Sequence, residues 1–326
     1  MARQIPEKML AAQVVESKKP YKIHEVPTPG KDLNEHDMLV KVAVGSLCHT
    51  DRMVSEGIMG TKLSCVASHE GAGTVVKVGT AIKEFKAGDR VLCSLTYHRC
   101  GECIDCKGPE QDRQYCANVG GYLGVTIDGS FAEYKVGDDR ECCLLPDNLS
   151  FQSAAPLASG LKSGESVALG LSLAKGCGAN LVIDARQGKE KIVEKVKNAT
   201  DGKLADATLN VSDHESAAAT SAAVTKMHGL LVQIAPPTNV SVPFAELIFR
   251  DIRIHGSLNS SREECQKMLE VASKNKINVK TNPFNGIKEI PKALELAHSG
   301  KMQGKLVIII DNEAIQNEKK SRLEMV

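Results

Sequence analysis

The chain has no tryptophan, and only 3% of its 326 residues are aromatic. That scarcity argues against a surface that stacks nucleic-acid bases. It also lacks an excess of either charge, with 41 basic against 40 acidic residues, so no general field draws it to nucleic acid or an anionic membrane. Long apolar runs are missing as well. The run Leu306 to Ile310 is far too short to cross a bilayer, and the opening MARQIPEKML has no apolar signal-peptide stretch. These absences point to a cytoplasmic protein with a small, neutral partner. Hydrophobic residues at 42% and charged residues at 25% are ordinary for a globular chain, and the length suits two domains.

Cysteine is plentiful. There are 11, and four of them crowd into residues 100–116 as CGECIDCKGPEQDRQYC. Cys100, Cys103, Cys106 and Cys116 have the close spacing that wraps a tetrahedral zinc ion and staples a loop with little core of its own. Two further stretches supply metal-ligand types. GSLCHTD carries Cys48, His49, Thr50 and Asp51, and SHEGAGTVVKVG carries His69 and Glu70. A thiolate and an imidazole brought together from two loops would give part of an open, catalytic zinc site.

From about residue 11 to 146 the runs LVKVAVGS, GAGTVVKVG, DRVLCSL and FAEYKVG are broken by Gly, Pro and Asp, which predicts a β-rich domain. From about residue 161 strands and helices alternate. SVAL, LVID, ATLNV, LLVQIA and IRIHGSL read as strands; KEKIVEKVKNAT and ESAAATSAAVTKM read as helices. That alternation predicts a parallel sheet with flanking helices. A helix near residues 262–273, the helix PKALELAHSG and the strand KLVIII follow, and the charged tail after Asp311 is expected to fray.

The order of these motifs, from MLAAQVV to GKLVIIID, resembles the zinc-dependent medium-chain alcohol dehydrogenases, most closely the microbial and fungal kind. The resemblance implies an α/β fold class: a GroES-like β-rich catalytic domain (residues 1–159), a truncated Rossmann-type parallel α/β domain for NAD (160–259), and a C-terminal segment (260–326) returning to the first. It implies a small-molecule alcohol or aldehyde as substrate and a homo-oligomer, tetramer or dimer. Cys48 and His69 then correspond to ligands of a catalytic zinc, with Glu70 beside it. Thr50 corresponds to the hydroxyl that starts a proton relay, and Asp51 to the carboxylate that orients His69 through its second ring nitrogen. His49 and Lys305 correspond to contacts with the cofactor pyrophosphate.

The chain also departs from that pattern. Met53 stands where many members end the relay in a histidine, and the lobe has a longer loop between Cys106 and Cys116. After SAAPLA, Ser159 follows where the third zinc cysteine is expected. A dinucleotide fold needs G-x-G-x-x-G after its first strand, and no such sequence exists in the chain. GCGANL at 176–181 ends in leucine, and GAGTVV at 71–76 belongs to the β domain. Eleven residues, Gly170 to Asn180, separate Leu169 from Leu181, whereas a full strand-helix-strand unit takes about 30. Two internal segments are therefore expected to be missing. Alternatives to an active enzyme are a non-catalytic zinc-stapled pseudoenzyme, a defective splice or gene-model product, or a zinc-free reductase of the same superfamily. Cys65 and Cys177 are the other thiols considered for the incomplete zinc site, and both are expected to be ordinary structural thiols, as are His214, His228 and His255.

Overall fold

A computed structural model describes residues 4–159, 167–321 and 323. The chain forms two compact units, one from residues 1–166 with 259–326 and a smaller one from 167–258.

The larger unit is built around the strand Asp37–Leu47, whose sequence DMLVKVAVGSL is almost wholly buried. A near-continuous apolar run needs cover on both faces. Here the strand pairs antiparallel with Glu70–Val78, Tyr134–Asp138 and Lys305–Ile309. Arg90–Cys93 and Cys143–Leu144 extend the sheet beyond Glu70–Val78, and Thr281–Asn285 extends it beyond Lys305–Ile309. A small antiparallel sheet of Lys22–Pro27, Lys8–Val14 and Cys65–Val66 stands beside it. Phe131, Leu39, Leu306 and Ile308 share one core cluster, while Val44, Leu92, Leu269 and Val307 share another. Each such side chain stabilises the fold by roughly 1.5–3 kcal/mol. KLVIII was legible as a strand, and its return to the first strands was implied by the family resemblance.

Through Lys320 the charged tail does not fray. Asn312–Lys320 is a helix whose start is capped by Asp311, which accepts from the Glu313 and Ala314 amides. Ile315 and Glu318 are buried on its inner face. Glu318 pairs with Arg90 and accepts from the Phe151 amide at 3.0 Å. Their three-residue spacing gave the helix a buried side that the surrounding charge had masked.

The smaller unit holds a three-stranded parallel sheet in the order Ala205–Asn210, Thr225–Gln233, Arg253–Gly256, with helices Lys189–Ala199 and Ala217–Val224. These match the expected strands and helices. The first two expected strands do not form. Val167–Gly176 is a helix, and residues 181–184 have no strand. A strand needs a neighbour to satisfy its backbone, and VALGLSLAKG, rich in Ala and Leu with a Lys, satisfies its own as a helix. The core of this unit is small: Ala222, Leu231 and Ile252, with Val242 against them. Leu209, Ile248 and Phe249 are each at least 65% exposed. Among the described residues, no helix is long and apolar enough to cross a membrane.

Candidate metal centres

The four-cysteine lobe has almost no core. The helix Ile104–Lys107 buries nothing, and the turn Glu110–Tyr115 buries only Gln114. Yet the thiols converge. Sγ atoms lie 3.9 Å apart for Cys100 and Cys106, 3.9 Å for Cys103 and Cys116, and 3.6 Å for Cys100 and Cys116. Zinc–sulfur bonds of about 2.3 Å in a tetrahedron put sulfurs roughly 3.8 Å apart, so the donor set fits a closed zinc site. Backbone amides are aimed at the sulfurs: Cys103 N donates to Cys100 Sγ at 3.4 Å, and Cys100 N to Cys116 Sγ at 3.3 Å. Amides of Cys106 and Ala117 lower Cys103 to about 6, those of Glu102 and Cys103 lower Cys100, and burial raises Cys106 to about 12.

Arg99 anchors the entry to the lobe by pairing with Glu141 and donating to the Arg140 carbonyl at 3.2 Å. Burial pushes Glu141 up to about 7 against the pull of Arg99. Its folded state therefore holds a proton more tightly than the unfolded chain. The stability this gives is complete below the ordinary carboxylate range and lost as pH rises through about 7. Glu141→Gln should gain on the wild type between about pH 5 and pH 8, read as a growing difference in urea midpoint. A difference that stays constant with pH would leave Glu141 ionised throughout.

The second centre joins two loops. Cys48 ends the central strand and caps the helix His49–Ser55, while His69 and Glu70 open the strand Glu70–Val78. Donor atoms of Cys48, His69 and Glu70 all lie within 4.8 Å of one another. His69 and Glu70 are buried. Two glycines press on the loop that carries them. A Cβ on Gly124, which has φ +70°, would lie 2.4 Å from the Ser68 carbonyl carbon, and one on Gly129 would lie 2.1 Å from the Ser68 oxygen. Neither position admits a side chain without moving His69.

Asp51 departs from its expected role. Its two oxygens accept from the amides of Cys48 at 2.7 Å and Ser68 at 2.8 Å, so it ties the two ligand loops together through their backbones. Burial raises its pKa, with His69 opposing. No hydrogen bond joins it to the His69 ring, and His69 Nδ1 is buried with no hydrogen-bond partner among the described residues. The Thr50 hydroxyl lies 3.9 Å from Cys48 Sγ.

Lys305, expected against the pyrophosphate, is instead 4% exposed, and its ammonium donates to Glu70 Oε1 at 2.8 Å. Burial lowers its pKa, but Glu70, Cys48 and Asp51 outweigh that and raise it, so the group stays charged beside the cluster. Burial and Glu70 raise Cys48, with Lys305 opposing. Nothing in the sequence spacing announced a contact between residues 70 and 305. His49 is the first residue of its helix and half-buried, with Met53 one turn on.

The side chain of Ser159, which ends the turn Ala155–Ser159, lies outside the described residues. Cys65 does not complete the cluster. Its thiol faces the Ile127 carbonyl at 3.3 Å, and burial raises it to about 12. Cys177 is exposed in the smaller unit. His214 and His228 have local partners in Ser216 and Asp251. A thiol, an imidazole with a nitrogen lacking a partner, and a carboxylate form a donor set that suits zinc. In the smaller unit, Asp184 caps a short turn and pairs with Arg186 at 2.6 Å.

Comparison with known proteins agrees with this geometry. Residues 34–147 match the alcohol dehydrogenase GroES-like domain, and residues 165–274 match the zinc-binding dehydrogenase domain. An alcohol dehydrogenase of Geobacillus stearothermophilus is 31% identical, with 92% of this chain and 98% of the relative covered. That alignment runs over 343 positions although this chain has 326 residues, so the relative has residues without a counterpart here. Alcohol dehydrogenase 1 of Emericella nidulans is 27% identical, covering 88% of this chain and 93% of its own. Among solved structures, the alcohol dehydrogenase of Aeropyrum pernix shares the fold with a TM-score of 0.78 at 23% identity, covering 92% of this chain and 99% of its own. Another neighbour, a zinc-binding dehydrogenase of Sinorhizobium meliloti described as bound to NADP, has a TM-score of 0.77 at 20% identity, covering 93% and 100%. With a GroES-like unit, a Rossmann-like unit and a relative aligned end to end, the chain belongs to the zinc-dependent medium-chain alcohol dehydrogenase family.

Proposed function

We propose that the chain acts as a zinc-dependent, NAD-linked alcohol dehydrogenase, converting a primary or secondary alcohol to an aldehyde or ketone as a cytosolic homo-oligomer. In this reading residues 1–159 form the catalytic domain, 160–259 the nucleotide domain, and 260–326 the returning segment. The observation that carries it is the convergence of Cys48, His69 and Glu70 within 4.8 Å. Zinc held there would supply Lewis acidity, making an alcohol hydroxyl more acidic. In this reading Thr50 Oγ1 would accept the hydrogen bond of that hydroxyl and give up its own proton in turn. Met53, one turn on, offers no group to pass it further, so the proton leaves to water. Asp51 holds Cys48 and the loop of His69 in register through their backbones, and Lys305 pairs with Glu70 beside them. His49, at the helix start, is a candidate contact for the cofactor.

One observation favours a second reading, a zinc-stapled protein without turnover. The described residues of the smaller unit hold three strands and no glycine loop, so they offer no cradle for a pyrophosphate. The longer alignment with the Geobacillus relative supports missing internal segments. Metal content and NADH fluorescence on one purified sample separate the readings. Two zinc ions per chain, saturable NADH binding and alcohol-dependent NADH production are the results expected of the enzyme. Metal without NADH binding would overturn it in favour of the stapled protein.

A further inference from the structure

Four buried cysteines outside both metal centres lie in one corner of the larger unit. The ladder between Arg90–Cys93 and Cys143–Leu144 sets Cys143 opposite Leu92 and Leu144 opposite Val91. Continued by one residue, it sets Cys142 opposite Cys93. Directly opposed residues of an antiparallel pair point to the same face with side chains in reach. Both sulfurs lie against Gly137 of the neighbouring strand, and both residues are almost completely buried.

The strand Tyr134–Asp138 shapes their surroundings. A Cβ on Gly137 would lie 2.9 Å from Cys142 Sγ and 3.6 Å from Cys93 Sγ, so the sulfur pair occupies space that a side chain would fill. Lys135, two residues earlier and so on the same face of the strand, is 2% exposed, and its ammonium donates to Ser130 Oγ at 2.9 Å. The S–H of Cys142 lowers Cys93 to about 7 against burial, with Lys135 assisting. One sulfur is thus favoured as thiolate, and its neighbour as the proton-bearing thiol. That is the pairing of an attacking and a resolving cysteine.

We propose that Cys93 and Cys142 form an oxidative modification site, a cross-strand dithiol that hydroperoxides convert to a disulfide. The Cys93 sulfur attacks the peroxide O–O bond, which breaks; one oxygen stays on sulfur as a sulfenic acid and the other leaves as water. The Cys142 sulfur then displaces the sulfenic hydroxyl as a second water while the S–S bond forms. Two thiols and one hydrogen peroxide become one disulfide and two waters. The sulfurs lose two electrons and the peroxide oxygens gain them.

The neighbouring pair, Cys143 and Cys265, provides the internal control. Cys143 sits beside Cys265 and faces the Arg262 carbonyl at 3.4 Å, on the other side of the ladder strand. The experiment treats zinc-loaded full-length protein with hydrogen peroxide, alkylates the remaining thiols, and maps tryptic peptides without reduction. The expected product joins residues 91–99 to residues 141–162, with fragmentation placing the bond at Cys142. Cys143→Ser should keep this cross-link and Cys142→Ser should lose it, with zinc content unchanged. Recovery of Cys93 as alkylated or sulfinic cysteine without the cross-link would overturn the proposal. So would a bond mapped to Cys143 in the wild-type protein, which needs no variant to fold.

Discussion

Lys305→Met lowers the stability of the larger unit by about 3–5 kcal/mol in the metal-free protein, the usual consequence of breaking a buried ion pair by removing one partner. Glu70 is fully buried and its Oε1 accepts the Lys305 ammonium at 2.8 Å. Without that ammonium the buried carboxylate loses the cation that its Oε1 faces, and keeping its charge there becomes more costly. In zinc-loaded protein the loss should be smaller, because a cation held by Cys48, His69 and Glu70 supplies the missing positive charge. The measurement is urea unfolding followed by tyrosine fluorescence. The chain has no tryptophan, and its five tyrosines, at positions 21, 97, 115, 122 and 134, all lie in the larger unit, so the signal reports that unit alone. Equal losses with and without zinc would separate Glu70 from the metal. Adding Glu70→Gln to Lys305→Met should recover part of the loss if the two act as a pair.

The ion pair shows where sequence reading stops. The four lobe cysteines were legible because metal ligands must be of particular types at short spacings, while Cys48, His69 and Glu70 stood out by residue type and by the order of motifs that carries the family resemblance. The core strands were legible from their apolar runs. Asp51 was singled out, but its hydrogen bonds were not: which atoms a buried carboxylate reaches depends on loop geometry, and here the nearest donors were the amides of Cys48 and Ser68. Lys305 was placed near the site by resemblance, yet its partner lies 235 positions away, a distance no local pattern encodes. The strands expected at residues 166–169 and 181–184 failed for another reason. Their apolar character was real, but a strand is defined by its neighbour, and the described sheet of the smaller unit begins only at Ala205. The tail failed in the opposite sense, since Ile315 and Glu318 supplied a buried face amid charge.

Removing metal with a chelator should raise the rate of trypsin cleavage after Lys107 and Arg113 by at least about a hundredfold, while the rest of the larger unit stays resistant. Among the described residues the lobe has little apolar burial to order it. Among its helical residues only Gln114 is buried, and hydrophobic burial there cannot repay the entropy of fixing residues 100–116. Structural zinc binding contributes on the order of 10 kcal/mol or more in small zinc modules. The surrounding sheet rests instead on clusters such as Phe131, Leu39 and Leu306, which need no metal. The expected pattern is therefore local: early cuts at Lys107 and Arg113, none in Asp37–Leu47 or Glu70–Val78, and protection restored when zinc returns. Cys103→Ser should reproduce the chelated pattern without chelator, because it removes one of four ligands while leaving the other centre intact. Cleavage at these two bonds that is unchanged by chelator would mean that the four thiols hold the lobe without an ion, through the amide–sulfur contacts alone.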